Sequence, residues 1–383
     1  MKTEIVIAAR GELAKNLNRT VEQASESAGV CVVFDGNERG NECPDYVLEK
    51  ARVLRIDGPC GCGAARHAGI TSSEADLIVL CDGHMAFPRG WMDTIEGYHR
   101  KRHKHLACCR MQSLDQKGNP LSDKPQGGAF IAYRTTEVLQ NHWGLSAKWN
   151  NPPAKAGPVA AVMGACYSFR RKWYDKIGQP LQILRAWGGD EEILSLSTHL
   201  MGGKVEMLPV TVGHIYMAAH NGRVKTADET EAIWANRYAI VDAMPMPEPE
   251  REGLRDWMSR SPKAWRRVRG ECKKAVELRA FLESGPVAWS SLKDAGVVRG
   301  LNKEEQAACL HLQNLKDDAK RYTPPPAPEK DKSQVVVRHE PVCDRCGARN
   351  SFRQVAGRRN TGAFGTACSR CKNCGHKAQI RFL

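Results

Sequence analysis

Short apolar runs alternate with amphipathic stretches along the first 110 residues of the chain. Short runs of apolar residues are typical of buried strands, whereas apolar residues three or four positions apart indicate helices. The predicted strands are Glu4–Ala9, Val30–Phe34, Val53–Ile56, Leu77–Cys81 and Leu106–Cys109, and the predicted helices are Leu13–Ser27, Ala64–Ser73 and Trp91–Arg102. Strands separated by helices predict an α/β fold with a mostly parallel, Rossmann-like sheet.

The pattern becomes less regular over residues 112–160, where Gly, Pro, Asn and Trp are frequent, as expected for a substrate loop or a small insertion. Regular patterns then return. The predicted elements here are the strands Met163–Phe169 and Lys204–Pro209 and the helices Glu191–His199 and Thr226–Asp242. Prolines at 245, 247 and 249 interrupt the chain after the last of these helices.

Four segments are expected from these boundaries and from the charge. They are an α/β domain over residues 1–245, a basic helical domain over 251–322, a Pro-rich linker over 323–332 and a small β module over 333–383. Residues 1–250 contain 29 Lys and Arg against 29 Asp and Glu, whereas residues 251–383 contain 28 against 14. The net charge of +14 therefore lies entirely in the C-terminal third. A neutral domain followed by a basic region favours contact with a polyanion over a merely solvated basic surface.

Composition also bears on location. No run of 18 or more apolar residues is present, and Met1 is followed almost directly by a predicted strand. We therefore expect neither a signal peptide nor a membrane anchor, and no membrane partner. Fifteen cysteines in a large chain without an export signal are typical of reduced thiols together with a metal site. The expected location is the cytoplasm.

An acid and a histidine follow the fourth predicted strand, as Asp82-Gly83-His84. In open α/β sheets, ligands bind at the edge formed by the carboxyl ends of the strands. A carboxylate oxygen and an imidazole nitrogen together suit a borderline divalent cation such as Mn²⁺, with positions left open for a phosphate. The sequence thus predicts a metal site for a phosphorylated substrate.

Further polar residues are expected near this edge. Arg66, on the helix before the strand, can pair with a diphosphate. Asp35 ends the second strand, where an acid can accept hydrogen bonds from a nucleotide base or ribose. Two later segments carry more candidates, Trp187-Gly188-Gly189-Asp190-Glu191 and Val212-Gly213-His214. Taken singly, each residue has an ordinary structural explanation, such as a turn, a cap or a core aromatic, so the set indicates a site only as a whole.

The order and spacing of these segments resemble the GT-A glycosyltransferases, and most closely the polypeptide N-acetylgalactosaminyltransferases, over about residues 3–243. Members of that family have an Asp-x-His, a Trp-Gly-Gly-acid segment and a later Gly-His. Three further segments are similar to family segments, namely Ala65-Arg66-x-x-Gly69, Met163-Gly164-Ala165-Cys166 and Glu231-Ala232-Ile233-Trp234.

The resemblance implies a GT-A fold and a UDP-sugar as donor. Asp82, His84 and His214 would bind Mn²⁺ or Mg²⁺, and Arg66 would offset charge on the departing UDP. Trp187, Asp190 and Glu191 would form the catalytic set beside the sugar and the acceptor. The positions expected to bind the donor are Ala8, Asp35, Arg66, Asp82, Gly164 and Ala165.

The chain also departs from the family. Asp190 stands where the family has Glu, and Tyr216 and Met217 follow Ile215 where an Arg is usual. The family's membrane anchor and sugar-binding C-terminal domain have no counterpart, which argues against a Golgi glycoprotein as acceptor. The resemblance favours retention of the anomeric configuration. In inverting relatives an acid near this position is the general base, a role open to Asp190 or Glu191.

Two Cys-x-x-Cys-Gly segments near the C-terminus resemble a zinc ribbon. Four thiolates at this spacing can hold one structural Zn²⁺, which a module of about 50 residues needs for stability. The predicted ligands are Cys343, Cys346, Cys371 and Cys374, with Cys368 or His376 as candidate replacements. Arginines and phenylalanines between the two segments suit phosphate contact and base stacking, and the alternative is a ribbon that docks a protein.

Together these features predict a metal-dependent glycosyltransferase that acts on DNA. The acceptor would be a free hydroxyl, such as that of a hydroxymethylated pyrimidine in modified viral DNA, which implies a bacteriophage protein in the host cytoplasm. One alternative is a transferase that acts on a cytosolic protein or glycan. Another is a nucleic-acid-binding protein with an inert transferase domain, which the joint presence of Asp82, His84, Asp190 and His214 disfavours.

Overall fold

A computed structural model describes the chain over the following residues: 1–36, 41–58, 60–137, 141–151, 153–215, 227–260, 272–302, 305, 352–354, 366–371 and 377–381. The chain divides into two compact units, Met1–Lys320 and Arg321–Leu383. The first unit contains the predicted metal ligands Asp82, His84 and His214. In the described part of the chain, no helix has both the length and the apolar character needed to cross a membrane.

The first unit contains helices and strands in an α/β order. Its strands are β1 (Thr3–Ala9), β2 (Gly29–Asp35), β3 (Arg52–Ile56), β4 (Leu77–Asp82), β5 (Met85–Ala86), β6 (His105–Leu114), β7 (Ala129–Glu137), β8 (Asn141–Trp149), β9 (Gly157–Pro158), β10 (Cys166–Arg170), β11 (Lys204–Ile215) and β12 (Val298–Arg299). Its helices are α1 (Ala14–Ser25), α2 (Asp45–Lys50), α3 (Cys62–Thr71), α4 (Trp91–His99), α5 (Arg171–Lys176), α6 (Asp190–Leu200), α7 (Ala227–Ala243), α8 (Glu248–Ser259), α9 (Lys273–Glu283) and α10 (Trp289–Asp294).

The central sheet has the strand order β3-β2-β1-β4-β10-β6-β11-β5, and β9 pairs with β11. Strands β3, β2, β1 and β4 are parallel, and so are β6 and β11, whereas β10 runs antiparallel between β4 and β6. Because β10 is antiparallel to both β4 and β6, those two strands run in the same direction. Strand β11 is parallel to β6, so β4 and β11 also run in the same direction. Their carboxyl ends therefore lie at the same edge of the sheet. The predicted mostly parallel α/β fold is confirmed.

The strands of this sheet are buried on both faces. Along β1, Val6 belongs to one apolar cluster, and Ile5 and Ile7 belong to the other. Helix α1 covers one face with Leu17, and α3 covers the opposite face with Ile70. Helices on both faces explain why these strands are almost continuously apolar instead of alternating with polar residues.

Residues 129–149 differ from the expectation of a loose segment. They form an antiparallel hairpin in which β7 pairs with β8, and β12 adds to the other side of β7. Gly144 in β8 lies directly under a helix, since a Cβ there would be 2.7 Å from Met258 Sδ. Trp143 and Gly144, two of the residues that suggested a loop, thus belong to a strand that packs closely against helices.

Helices α8 to α10 also differ from the expectation of a separate basic domain after residue 250. Helix α8 packs on β8 through the buried Leu254 and Met258. Helix α9 packs beside α7, and its Leu278 is buried in the same apolar cluster. The prolines at 245, 247 and 249 mark only the change from α7 to α8, with Pro247 at the N-cap of α8 and Pro249 in its first turn. An amphipathic helix must cover its apolar face, and these helices cover theirs on the core of the first unit.

In the second unit, the described residues form an antiparallel sheet of β13 (Phe352–Gln354), β14 (Thr366–Cys371) and β15 (Lys377–Arg381). Cys371 ends β14, and Cys368 lies within the same strand. The other predicted zinc ligands, Cys343, Cys346 and Cys374, lie outside the described residues, as does His376. The zinc site therefore stays a prediction.

Candidate active site

The three predicted donor-site metal ligands meet at the carboxyl edge of the central sheet. One potential ligand atom each from Asp82, His84 and His214 lies within 4.8 Å of the other two. Asp82 Oδ2 is 3.2 Å from His214 Nε2, and the ring centroids of His84 and His214 are 4.7 Å apart. A carboxylate with two imidazoles offers the mixed oxygen and nitrogen donors that suit a borderline cation such as Mn²⁺. The spacing and the chemistry of the three side chains fit one divalent cation.

Strand pairing brings His214 to this position from 130 residues farther along the chain. The end of β11 pairs with β5, so that His214 lies opposite Met85, and the Ile215 amide donates to the His84 carbonyl at 3.0 Å. On the other side, Thr20 Oγ1 accepts a hydrogen bond from the Met85 amide at 2.9 Å. The turn that carries His84 is thus held between β11 and α1.

The Arg66 guanidinium lies behind the metal ligands and joins two acids. Its Nη2 donates to Asp82 Oδ1 at 2.6 Å, and its Nη1 donates to Tyr167 Oη at 2.6 Å and to Asp190 Oδ2. The Tyr167 hydroxyl also donates to Asp190. The side chains of Arg66 and Asp190 are 5% and 3% exposed. This buried network ties the end of β4 to the start of α6.

Charge at this edge favours a cation. Burial acts to raise the pKa of the Asp82 carboxyl, but the hydrogen bond with His214 and the charge of Arg66 outweigh it and hold the pKa below its usual value. Asp82 is therefore ionised at neutral pH. Asp190 is within ion-pair distance of the same Arg66 guanidinium, so two carboxyl groups share one fixed positive charge at this edge.

Two acids at the start of α6 have separate environments. Glu191 Oε1 accepts from the Gly164 amide at 3.2 Å, and burial together with the neighbouring Glu192 raises the pKa of Glu191. Glu192 instead pairs with Arg237, 2.5 Å between Oε1 and Nη1, and accepts from the Ala147 amide at 3.0 Å. Glu192 thus holds α6 to α7 and β8, whereas Glu191 faces the segment that precedes β10.

Asn236 on α7 positions the Trp187 loop, and sequence reasoning missed it. Its Nδ2 donates to the carbonyls of Ala186 and Gly188 at 3.1 and 2.9 Å, and its Oδ1 accepts from the Arg185 amide at 2.7 Å. Trp187 within this loop is 58% exposed. The loop and Asn236 are about 50 residues apart in sequence, so no local pattern indicated the contact.

Asp35 is buried, and its carboxylate holds a loop. Oδ1 accepts from the Cys60 amide at 2.6 Å, and Oδ2 accepts from the Gly61 amide at 2.8 Å. Gly61 packs against the Trp187 loop so closely that a Cβ would lie 2.3 Å from the backbone of Ala186. The carboxylate thus fixes the approach of two loops, and its predicted contact with a nucleotide stays a prediction.

The remaining predicted donor-site residues also lie at this edge. Ala8, near the end of β1, is the register partner of Asp82 in β4. Gly164 and Ala165 precede β10, whose first residue Cys166 lies opposite Cys81. The structure thus brings together all predicted donor-site residues, although they come from five separate parts of the chain.

Part of this chain is similar to a known family of enzymes. Residues 4–178 match the sequence profile of glycosyl transferase family 2. These residues form a glycosyltransferase domain. The match includes Arg66, Asp82 and His84, and the site continues beyond it to Asp190 and His214.

Curated relatives are similar over larger parts of the chain. Polypeptide N-acetylgalactosaminyltransferase 3 of Drosophila melanogaster is 24% identical over 215 residues, which is 50% of this chain and 30% of that protein. Human polypeptide N-acetylgalactosaminyltransferase 14 is 20% identical over 349 residues, which is 81% of this chain and 58% of that protein. The chain thus spans between about a third and three fifths of the length of these two relatives.

A solved structure has a similar fold. The crystal structure of GalNAc-T7 with UDP, GalNAc and Mn²⁺ aligns with a TM-score of 0.57 and 16% sequence identity, and it covers 77% of this chain and 57% of that one. At this identity the likeness concerns the fold. The GT-A-like fold predicted from the sequence for the first part of the chain is confirmed.

Replacing Asn236 is expected to loosen the Trp187 loop. Asn236→Ala leaves the Arg185 amide and the Ala186 and Gly188 carbonyls without their present partner, at a cost of about 1–3 kcal/mol for buried polar groups. Hydrogen exchange of peptides that cover residues 185–190 should become faster, as measured by mass spectrometry. Asn119→Ala, which removes a bond to Asp115 in an exposed turn, is the control. Unchanged exchange over residues 185–190 in Asn236→Ala would contradict the assigned role of Asn236.

Proposed function

We propose that this protein transfers a sugar from a UDP-sugar to a hydroxyl acceptor in a metal-dependent reaction. The observation that carries the proposal is the meeting of Asp82, His84 and His214 beside Arg66 at the carboxyl edge of a glycosyltransferase domain. Ligands bind at this edge in open α/β sheets. The crystal structure of GalNAc-T7, which has a similar fold, contains UDP and Mn²⁺, and this supports the choice of donor and metal.

In the proposed reaction, Asp82, His84 and His214 hold Mn²⁺ or Mg²⁺. A bound cation supplies positive charge that stabilises UDP as the bond to the sugar breaks. The chain's own contribution is to place charge before the donor arrives. Arg66 keeps Asp82 ionised and oriented, and the Arg66 link to Asp190 joins the metal edge to α6.

The catalytic roles proposed for the start of α6 are distinct. The Asp190 carboxylate is 3% exposed and is engaged by Arg66 and Tyr167. Glu191 is less buried, has a raised pKa and faces Gly164, one of the proposed donor-binding positions. If transfer inverts the anomeric centre, Glu191 is therefore the better base, while retention would require no such base. NMR of the first-formed product gives the anomeric configuration and decides between them.

We further propose that the acceptor is DNA that carries hydroxymethylated pyrimidines. The support is the charge of residues 251–383, which contain 28 Lys and Arg against 14 Asp and Glu. A structural Zn²⁺ held by Cys343, Cys346, Cys371 and Cys374 belongs to the same proposal, as the core of a DNA-contacting ribbon. A duplex base would have to leave the stack to bring its hydroxyl to the donor.

A polypeptide acceptor is the second candidate, since the similar curated relatives are named polypeptide N-acetylgalactosaminyltransferases. The experiment incubates the full chain with Mn²⁺ and a panel of UDP-sugars. It offers hydroxymethylated DNA, unmodified DNA or a mixture of Ser- and Thr-containing peptides, and mass spectrometry detects the product. A sugar on hydroxymethylated DNA alone supports the DNA proposal. A sugar on peptide alone overturns it and keeps the transferase.

Salt dependence is expected to separate these acceptors as well. If several Lys and Arg contact phosphates, DNA affinity falls steeply with salt, with a slope of about −0.9 per phosphate contact on a double-logarithmic plot. Fluorescence anisotropy with labelled DNA between 50 and 200 mM salt measures the slope. A flat response would count against DNA as the partner of the basic region.

A further inference from the structure

Glu12 lies in the loop between β1 and α1, and its carboxylate contacts a proposed metal ligand. Glu12 Oε2 is 3.0 Å from His84 Nδ1, and the two side chains are 8% and 12% exposed. A carboxylate beside one ring nitrogen keeps the proton on that nitrogen and leaves the other nitrogen as the donor to a metal. We propose that Glu12 is a positioning residue that orients His84 with Nε2 toward the cation. The proposal rests on the proposed function, through the metal site assigned there.

The end of β2 fixes the loop that carries Glu12. Asn41, which is buried, accepts from the Gly11 amide through Oδ1 at 3.1 Å. Its Nδ2 donates to the Asp35 and Gly36 carbonyls at 3.1 and 2.9 Å. The residue before Glu12 is thus bound to the central sheet, and the carboxylate is presented to His84 from a defined backbone.

Gly83, between the two metal ligands, leaves room for Glu12. A Cβ at position 83 would lie 2.9 Å from Glu12 Cγ, closer than such atoms approach in proteins, and 3.0 Å from Glu12 Cδ, which is tighter than most Cβ contacts. Any side chain at this position would displace the Glu12 carboxylate from His84. The glycine in Asp82-Gly83-His84 therefore has a spatial reason, which is independent of the hydrogen bond itself.

The test measures Mn²⁺ affinity of the full chain without donor, by electron paramagnetic resonance of the free ion. Glu12→Gln keeps an oxygen that can accept from Nδ1–H but removes the charge, and Glu12→Ala removes both. We expect affinity to fall by about tenfold in Glu12→Gln and by up to about 100-fold in Glu12→Ala, the range found for residues that orient metal ligands. Equal affinity in both variants and the unchanged chain would overturn the proposal.

Two controls separate the possible causes. Glu4→Gln changes a carboxylate near the start of β1, the strand that precedes the Glu12 loop. This carboxylate pairs with Arg52 at 3.0 Å, and its replacement should leave Mn²⁺ affinity unchanged. An equal loss of affinity in Glu4→Gln would show a general effect of charge and overturn the role of Glu12. His84→Ala should weaken Mn²⁺ binding at least as much as Glu12→Ala. Normal Mn²⁺ binding by His84→Ala would contradict the proposed metal site itself. Normal Mn²⁺ binding by the Glu12 variants, together with weakened binding by His84→Ala, would contradict only the role of Glu12.

Discussion

Asp82→Asn is expected to lower the rate of sugar transfer by about 10³-fold, since a catalytic cation contributes several kcal/mol and each 1.4 kcal/mol is a factor of ten. The asparagine has nearly the same size but no charge. It would weaken the proposed cation site and lose the charge-assisted bonds to Arg66 and His214. Steady-state kinetics with saturating Mn²⁺ and UDP-sugar measure the effect.

Asp76→Asn is the matched control for Asp82→Asn. Asp76 immediately precedes β4 at the opposite edge of the sheet, is exposed and accepts from the Lys2 amide at 3.1 Å. We expect Asp76→Asn to keep the activity of the unchanged chain. A loss of less than about tenfold in Asp82→Asn at saturating Mn²⁺ would remove Asp82 from the catalytic site. Mn²⁺ affinity measured on the same variant shows whether the defect is in metal binding.

The second large effect is expected in Arg66→Met, on stability as well as activity. The substitution leaves Asp82 and the buried Asp190 without their shared cation. Removing one partner of a buried ion pair lowers the free energy of unfolding by about 3–5 kcal/mol. The midpoint of urea unfolding, followed by tryptophan fluorescence, should fall accordingly. The double variant Arg66→Met/Asp190→Asn should recover part of the loss, because it removes one uncompensated carboxylate.

The loss in free energy of unfolding caused by Arg66→Met should become smaller as the pH is lowered from 7 toward 4. In the unchanged chain, the depressed pKa of Asp82 contributes stability that is present above the pKa of an unfolded Asp and is lost as the pH falls through the folded value. In the variant, the carboxylates lack Arg66 and burial favours their protonated form, so acid relieves the repulsion. A cost that is constant over this range would contradict the assigned network.

Most residues of the proposed donor site could be predicted from the local sequence. Asp82-Gly83-His84 stood directly after an apolar run, and such a run ends at a sheet edge whatever packs around it. Arg66 and Asp190 belonged to short segments of recognisable order. The parallel βαβ arrangement of β1, β2 and β4 also followed from the alternation of apolar runs and helical stretches.

Other features depended on partners far away in the chain. The Glu12 contact with His84 spans 72 residues and the Arg66 contact with Asp190 spans 124. Apolar periodicity reports which face of an element is buried, but not which element covers it. For this reason the sequence suggested a separate helical domain after residue 250, whereas α8 to α10 complete the core of the first unit.

The sequence by itself determined which residue types were available at the edge of the sheet, because strands and short motifs are local. Only the tertiary structure decided how those residues act together. The antiparallel insertion of β10 aligns β4 with β11 and so brings His214 to Asp82, and burial joins Asp82, Arg66 and Asp190 in one charge network. The distances between these side chains and their burial arise from long-range packing. They decide whether candidate ligands in the sequence form one site that can hold a cation.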